Sequence, residues 1–293
     1  PDSIDIGPLV VAQLTPPGGK PLSSPYQVIN WKDIPNAAKD PSGLWYGNYG
    51  GKLAIVYNTS LAAVPTKAKD FTNPAFKGVV GITGDPTSSN QAFMSLLAAS
   101  IGNGGEQNLS DVTKGLALFK EVKTAAPLVK VNGTNLATGT AKVGFMWDFN
   151  ALGIIPAAKA AGLDLKFAYP TDFVLQAPPY INAINAKSPN CANARLWQEF
   201  VYSQNKGKMA ADLTAADLKL SGSKLFALLQ GGQNHFQQSG ADPIMSKAMA
   251  TKKVLVPSLL DFKVPSTAKV VGPATISDVL AAREQVISSW ASL

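Results

Sequence analysis

Residues 78–101 read GVVGITGDPTSSNQAFMSLLAASI, and the fold can be worked out from this stretch because it joins a strand to a helix. The apolar run at 78–83 predicts a short buried strand, and Gly-Asp-Pro at 84–86 predicts a turn. Four residues of types that cap helices come next: Thr87, Ser88, Ser89 and Asn90. The apolar residues that follow recur at helical spacing and predict an amphipathic helix.

The start of this predicted helix has two interpretations. The first backbone N–H groups of a helix have no partner within it, and they stand at the positive end of its dipole. Together with nearby hydroxyl groups they can bind an anion. The same four side chains can instead serve only as helix caps. Both interpretations stay open from the sequence.

Strand and helix patterns continue to alternate up to residue 170. Strands are predicted at 52–58, 128–131, 143–147 and 165–169, and helices begin near Ser89, Ser110, Asn132 and Phe149. This alternation predicts a parallel α/β sheet, in which ligands bind at the carboxyl ends of the strands. Beyond it, Pro178-Pro179 favours a connection between domains over a central strand. The remaining helices are predicted at 193–203, 215–229, 242–249 and 277–290.

A second polar and aromatic cluster, Trp147-Asp148-Phe149-Asn150, also follows a predicted buried strand. In one parallel sheet this cluster and residues 87–90 would project from the same edge and meet in one crevice. A carboxylate beside aromatic rings suits an ammonium group by charge and by cation–π attraction. Asp148 can also cap its own helix, and Trp147 can also be a core residue, so the structural and ligand roles both stay open.

Composition narrows the classes of function. A length of 293 residues suits one large or two medium domains, and the net charge of +7 is scattered without a basic stripe, which disfavours nucleic-acid binding. Cys191 and His235 are the only cysteine and histidine, so we expect no disulfide within the chain and no Cys/His metal site. The sequence contains no nucleophile elbow, P-loop or metal motif, so we expect no bound cofactor.

Five segments, taken in order, resemble the periplasmic solute-binding proteins of ABC importers, in the group that binds ferric ion, thiamine, polyamines and 2-aminoethylphosphonate. They are SIDIG (3–7), LAIVYNTS (53–60), FTNPAFKGVVGITGDPTSSNQAF (71–93), TNLATGTAKVGFMWDFNAL (134–152) and RLWQEFVYSQNKG (195–207). Each pattern is loose alone, and their order and spacing across residues 1–210 make the resemblance specific.

The resemblance implies a type 2 periplasmic binding fold with two α/β lobes, each a doubly wound, mostly parallel sheet flanked by helices. Lobe 1 would comprise residues 1–60 and 174–293, and lobe 2 would comprise residues 61–173. A solute would be captured by hinge closure of the lobes. The resemblance also implies a periplasmic or extracellular, membrane-associated monomer whose partners are a small charged solute and a membrane permease.

Two features depart from the family pattern. Family members usually have a strand–helix–strand–helix portion before the segment that matches SIDIG, and this sequence has none. Ferric-ion binders have adjacent tyrosines where this sequence has Phe149 and Asn150. Phenolate oxygens are strong ligands for a hard trivalent metal, so an iron role is disfavoured.

An anion site beside a carboxylate–aromatic pair favours a solute with both charges, such as 2-aminoethylphosphonate. A polyamine is the next alternative and a plain anion the third, while an enzyme on a two-lobed fold is the rival class. The candidates from lobe 1 are tyrosines: Tyr46 and Tyr49 in the segment LWYGNYGG, and Tyr180 on the return strand. Loop packing is the structural alternative for Tyr46 and Tyr49.

Overall fold

The computed structural model describes residues 1–16, 18–105, 108–238, 240–245 and 263–293. The described chain divides into two compact units. The first unit comprises residues 1–50 and 179–245, and the second unit comprises residues 51–178 and 263–293.

The described strands are all short. They are β1 (Ser3–Ile6), β2 (Ser23–Ser24), β3 (Tyr46–Gly47), β4 (Tyr49–Gly50), β5 (Leu53–Asn58), β6 (Val80–Ile82), β7 (Val129–Lys130), β8 (Val143–Trp147), β9 (Leu165–Ala168), β10 (Phe173–Leu175), β11 (Ile181–Asn185), β12 (Asp242–Pro243) and β13 (Lys269–Val271). The α-helices are α1 (Val11–Leu14), α2 (Asn90–Ser100), α3 (Thr113–Ala125), α4 (Gly133–Thr138), α5 (Asp148–Ala160), α6 (Cys191–Val201), α7 (Gly222–Leu228), α8 (Gly232–Gln238) and α9 (Ile276–Ser289).

The second unit is built on a sheet with strand order β7-β6-β8-β5-β9. β6 is parallel to β7 and β8, whereas β5 is antiparallel to both β8 and β9. Four strands therefore run in one direction, as the alternating pattern predicts. The sheet is mixed because β5 is inserted between β8 and β9 in the opposite direction, which sequence periodicity does not reveal.

Two glycines allow the central strands of this sheet to pack closely. Gly81 of β6 and Gly144 of β8 are cross-strand partners. A Cβ atom at Gly81 would lie 2.5 Å from Cγ2 of Val131, and a Cβ atom at Gly144 would lie 2.6 Å from the same atom. A side chain at either position would displace this valine, which explains the glycines inside two otherwise apolar strands.

The first unit has an antiparallel sheet in which β11 pairs with β1, β2 and β3. The expected mostly parallel sheet is therefore wrong for this unit, because all three of these pairings are antiparallel. The helix predicted at 242–249 is also wrong where it is described. Residues 242–243 form β12, which pairs with β4, and residues 246–249 lie outside the described residues.

The division into units differs from the predicted lobe bounds at three places. β5 belongs to the second unit because it pairs on both edges within that sheet. The chain passes between units at Gly50-Gly51 and Pro178-Pro179 rather than after residues 60 and 173. Helix α9 also belongs to the second unit, where the Gln285 side chain donates to the Ser110 carbonyl oxygen at 2.9 Å.

Candidate functional site

The first turn of α2 is capped by side chains that the sequence singled out. Ser89 is the N-cap residue, and its Oγ accepts a hydrogen bond from Ala92 N at 3.3 Å. The backbone N and the Oγ1 of Thr87 both donate to Asp85 Oδ1, at 2.9 and 2.8 Å. The side chain of the exposed Ser88 makes one long bond, from Oγ to the Asp85 carbonyl oxygen at 3.4 Å. A carboxylate of the chain itself therefore takes up part of the expected anion site.

Two polar side chains beside this turn keep unused hydrogen-bonding capacity. Both amide atoms of Asn90 and the hydroxyl oxygen of Thr83 are buried and have no hydrogen-bond partner among the described residues. Thr83 directly follows β6, and Asn90 is the first residue of α2. These are the groups at the start of α2 that could still bind a polar solute group.

Gln91 links the ends of the two strands that the sequence predicts to lie side by side. Its Oε1 accepts hydrogen bonds from Trp147 N at 3.0 Å and from Asn150 Nδ2 at 2.9 Å. The structure thus brings residues 87–90 and residues 147–150 to the same edge of the sheet. The signal that could have identified Gln91 is its place in the first turn of the predicted helix.

Asp148 lies at this edge but is turned into the protein. It is 4% exposed, and its Oδ2 accepts a hydrogen bond from the Tyr169 hydroxyl at 2.9 Å. Its Oδ1 accepts from Phe149 N at 2.8 Å in the first turn of α5. A Cβ atom at Gly51 would lie 2.6 Å from this Oδ1, so the chain passes close against the carboxylate.

The aromatic residues beside Asp148 differ in exposure. Trp147 is 1% exposed and lies in the core, and its ring stacks on that of Phe149 with centroids 5.9 Å apart. Phe149 is half-buried. The core role that the sequence left open for Trp147 is thus the one its side chain has in the structure.

Tyr46 lies in the core of the first unit. It is 1% exposed, and its ring packs edge-on against Trp31 and Tyr202, with centroid distances of 5.4 and 4.8 Å. Burial raises the pKa of the Tyr46 phenol far above its usual range. The side chain does not reach a surface, so we leave Tyr46 out of the candidate site.

Tyr49 and Tyr180 come together in the first unit. Their rings are stacked almost in parallel, with centroids 5.1 Å apart and planes 6° apart, and both residues are half-buried. The backbone holds them in place, because Tyr180 N donates to the Tyr49 carbonyl oxygen at 2.8 Å. Phe236 of α8 packs on Tyr49 from a centroid distance of 4.7 Å.

Asp5 lies beside this aromatic pair and is the residue that sequence reasoning missed. It is exposed at the middle of β1, and its carboxylate is hydrogen-bonded to the side chains of Tyr49 and Asn48. Desolvation by the surrounding protein raises the Asp5 pKa to about 6, although these two hydrogen bonds act in the opposite direction. A charged residue between Ile4 and Ile6 is the signal that could have identified it.

The pKa of the Tyr49 phenol is raised by the same surroundings. Burial is the main cause that raises its pKa above the usual range, and the negative charge of Asp5 adds to the effect. Tyr49 therefore stays protonated at neutral pH and donates its hydrogen to Asp5.

Comparison with protein families decides the identity. The model of a family described as bacterial extracellular solute-binding protein matches residues 19–222, which is most of the chain. The chain belongs to this family. The resemblance seen in the sequence is confirmed, and the protein is an extracellular solute-binding protein of the ABC-transporter family. A search of curated proteins finds no match.

Several solved structures share the fold of this solute-binding protein. AfuA from Actinobacillus pleuropneumoniae, with fructose-6-phosphate bound, is 18% identical with a TM-score of 0.65, over 99% of this chain and 82% of that one. An ABC transporter substrate-binding protein from Bradyrhizobium japonicum is 16% identical with a TM-score of 0.66, over 99% and 82%. A protein described as the Atu4243–GABA receptor is 13% identical with a TM-score of 0.64, over 99% of this chain and 80% of that one. The two-lobed type 2 periplasmic binding fold is confirmed.

The family sets the general role of this solute-binding protein. It implies a small solute as ligand, an ABC-transporter permease as partner, and a periplasmic or extracellular location. Solute-binding proteins of transport systems are not enzymes. In the part of the chain that the structure describes, no helix has the length and apolar character needed to cross a membrane.

Proposed function

We propose that this solute-binding protein captures a small solute with a protonated amine, and that Asp5, Tyr49 and Tyr180 recognise that amine. The observation that carries the proposal is an exposed carboxylate next to a stacked pair of tyrosine rings. The carboxylate attracts the ammonium group by charge, and the face of a tyrosine ring attracts it by a cation–π interaction.

The amine-binding role that the sequence suggested for Asp148 is transferred to Asp5. Asp148 is 4% exposed, and both of its oxygen atoms accept hydrogen bonds from the protein. Asp5 is an exposed residue whose carboxylate is partly desolvated by the protein, and the side chains of Tyr49 and Asn48 hold it in place. A carboxylate that is already oriented loses little freedom when a ligand binds to it.

The favoured solute remains a zwitterion such as 2-aminoethylphosphonate. Within the second unit, considered by itself, the amide of Asn90 and the hydroxyl of Thr83 are buried without partners among the described residues and offer hydrogen-bonding groups for an acidic group. The carboxylate of Asp85 disfavours an acidic group at this turn, because it already accepts two hydrogen bonds from Thr87. A polyamine has no acidic group that needs hydrogen-bond donors, and it is therefore the second candidate.

A ferric ion is a poorer candidate than an amine. Iron of this charge is best bound by phenolate oxygens, and the raised pKa of Tyr49 holds its phenol in the neutral form. The position after Asp148 carries Phe149, which offers no ligand atom. A plain anion would leave the exposed carboxylate of Asp5 without a role.

A thermal-shift series tests the class of solute. The ligands are 2-aminoethylphosphonate, GABA, putrescine, phosphate and ferric citrate, each added to the purified protein at pH 8. Binding at a hundredfold excess over the dissociation constant adds about 2.7 kcal/mol of stability, which is measurable. We expect shifts only with the amines. A shift with phosphate or ferric citrate and none with any amine would contradict the proposal.

The permease partner follows from the family. Hinge closure around the solute and a monomeric state remain predictions that rest on the family resemblance.

A further inference from the structure

The side chain of Asn48 is an unusual feature next to the proposed amine site. Asn48 is 2% exposed, and its Oδ1 is buried without a hydrogen-bond partner in the described parts of the chain. The backbone around it is fully engaged, because its N donates to the Tyr180 carbonyl oxygen at 2.8 Å and its carbonyl oxygen accepts from Gln233 Nε2 at 3.1 Å. Only the side-chain oxygen is left unpaired.

The orientation of this amide follows from its neighbour. The Asn48 side chain is hydrogen-bonded to Asp5, and an ionised carboxylate can only accept. The amide nitrogen must therefore face Asp5, which leaves the oxygen as the orphan atom. A buried acceptor without a donor is costly, so a ligand that supplies a donor gains from pairing it.

We propose that Asn48 and Asp5 make the site selective for amines that carry N–H groups, so that Asn48 is a specificity-determining residue. This inference rests on the proposed function. A protonated primary amine has three N–H donors, enough for the Asp5 carboxylate and for the Asn48 oxygen. A quaternary trimethylammonium group has the same charge and no donor. It would keep the attraction to Asp5 and to the tyrosine ring, but it would leave the Asn48 oxygen unpaired and would desolvate the Asp5 carboxylate without giving it a further hydrogen bond.

Discrimination of this kind is strong when a site is built to hydrogen-bond its ligand. A ligand that lacks the matching polar group leaves the polar atoms of the site unpaired, and affinity falls steeply. The aromatic rings alone would not discriminate in this direction, because a cation–π contact accepts either kind of ammonium group. The selectivity therefore comes from the oxygen acceptors.

Calorimetric titration with matched ligand pairs tests the inference. The pairs are 2-aminoethylphosphonate and its N-trimethyl derivative, and GABA and its N-trimethyl derivative, each titrated into the wild-type protein and into Asn48→Leu. Leucine keeps roughly the shape of asparagine and removes both the acceptor oxygen and the amide group that donates to Asp5. We expect the wild type to bind a primary amine roughly 100-fold more tightly than its trimethyl partner, and Asn48→Leu to reduce this ratio to about tenfold or less.

The outcomes separate this inference from the proposed function. If the wild type binds both members of a pair equally well, the proposed selectivity is wrong and the proposed amine site is unaffected. If no amine of either kind binds, the proposed function fails as well. An unchanged ratio in Asn48→Leu would assign the selectivity to other residues. The wild-type comparison stands even if the variant does not fold.

Discussion

At the scale of single residues, the carboxylate of Asp5 makes solute binding depend on pH. Its pKa is about 6, so it is largely protonated at pH 5 and ionised at pH 8. An amine keeps its charge over this range, and GABA has no group of its own that titrates there. We expect the affinity for GABA to fall about tenfold between pH 8 and pH 5, measured by calorimetry. A flat profile in the wild type would contradict the role of Asp5.

Asp5 also affects the stability of the protein without solute. Because its pKa is raised from 3.8 to about 6, the folded state holds this proton more tightly than the unfolded state does. The contribution of Asp5 to the stability of the folded state is fully present below pH 3.8 and is lost as the pH rises through about 6. Asp5→Asn should therefore melt at a higher temperature than the wild type at pH 8, with a difference that shrinks towards pH 4.

This stability prediction has an internal control. Glu284 of α9 is an exposed carboxylate with 75% of its side-chain surface accessible, and Glu284→Gln removes the same charge. That variant should melt like the wild type across the same pH range. A lower melting temperature for Asp5→Asn at pH 8 would mean that its hydrogen bonds outweigh its desolvation.

The bond between Tyr169 and Asp148 should stabilise the fold rather than bind solute. Tyr169→Phe removes the hydroxyl that donates to the buried Asp148 Oδ2 and keeps the ring, which packs edge-on against Phe167 at 5.9 Å. We expect a loss of about 1–3 kcal/mol in the free energy of unfolding, measured with denaturant, because a buried oxygen atom loses its hydrogen-bond donor. Amine affinity should be unchanged, and a large loss of affinity would return Asp148 to the site.

At the residue scale, the sequence predicted types of side chain better than their exposure. The clusters at 87–90 and 147–150 do meet at one sheet edge, since local strand–helix order determines where each begins. Asp5 was missed because its partners Asn48 and Tyr49 are distant in sequence, so no local pattern marks it. Tyr46 and Tyr49 are close neighbours in one aromatic segment, yet one is in the core and the other is half-buried.

At the scale of elements, the paired glycines of β6 and β8 fix how closely the central strands pack. Gly144→Ala would place its Cβ against Val131, so we expect a loss of about 1–3 kcal/mol in unfolding free energy. Gly153 in α5 is the matched control, because no atom lies within 4 Å of a Cβ built there. Gly153→Ala should stabilise the protein by about 0.5–1 kcal/mol through helix propensity. Equal effects of the two variants would contradict this packing.

The elements with strong periodicity were predicted well. β5, β8, α2, α5 and α9 all lie within a few residues of their expected places. The two-residue strands β2, β3, β4 and β12 were not predicted, because they are defined only by pairing with distant partners. The expected helix at 215–229 begins only at Gly222, after a 3₁₀ turn at Asp217–Lys219.

At the scale of the whole molecule, α9 belongs to the second unit, although a segment of the first unit separates it in sequence from the other helices of the second unit. Gln285 donates to the Ser110 carbonyl oxygen and accepts from Val112 N at 3.0 Å, just before α3. Gln285→Met would leave both backbone groups unpaired at a cost of about 1–3 kcal/mol. Hydrogen exchange should then be faster in α3 and unchanged in β11. Faster exchange in β11 with no change in α3 would place α9 with the first unit.

The overall architecture was more predictable than the solute. Order and spacing of the matching segments identified the family, while the lobe bounds depended on contacts of β5 and α9 that a local pattern does not contain. The solute depends on a few side chains whose exposure is a property of the folded chain.

Calorimetric titration of 2-aminoethylphosphonate and GABA into wild type, Asp5→Asn and Glu284→Gln at pH 8 tests the central claim most directly. An amine solute held by the Asp5 carboxylate should bind the wild type and Glu284→Gln with equal affinity. It should bind Asp5→Asn at least about 100-fold more weakly, because a charged hydrogen bond is lost. Equal affinity for all three proteins would show that the amine is bound elsewhere.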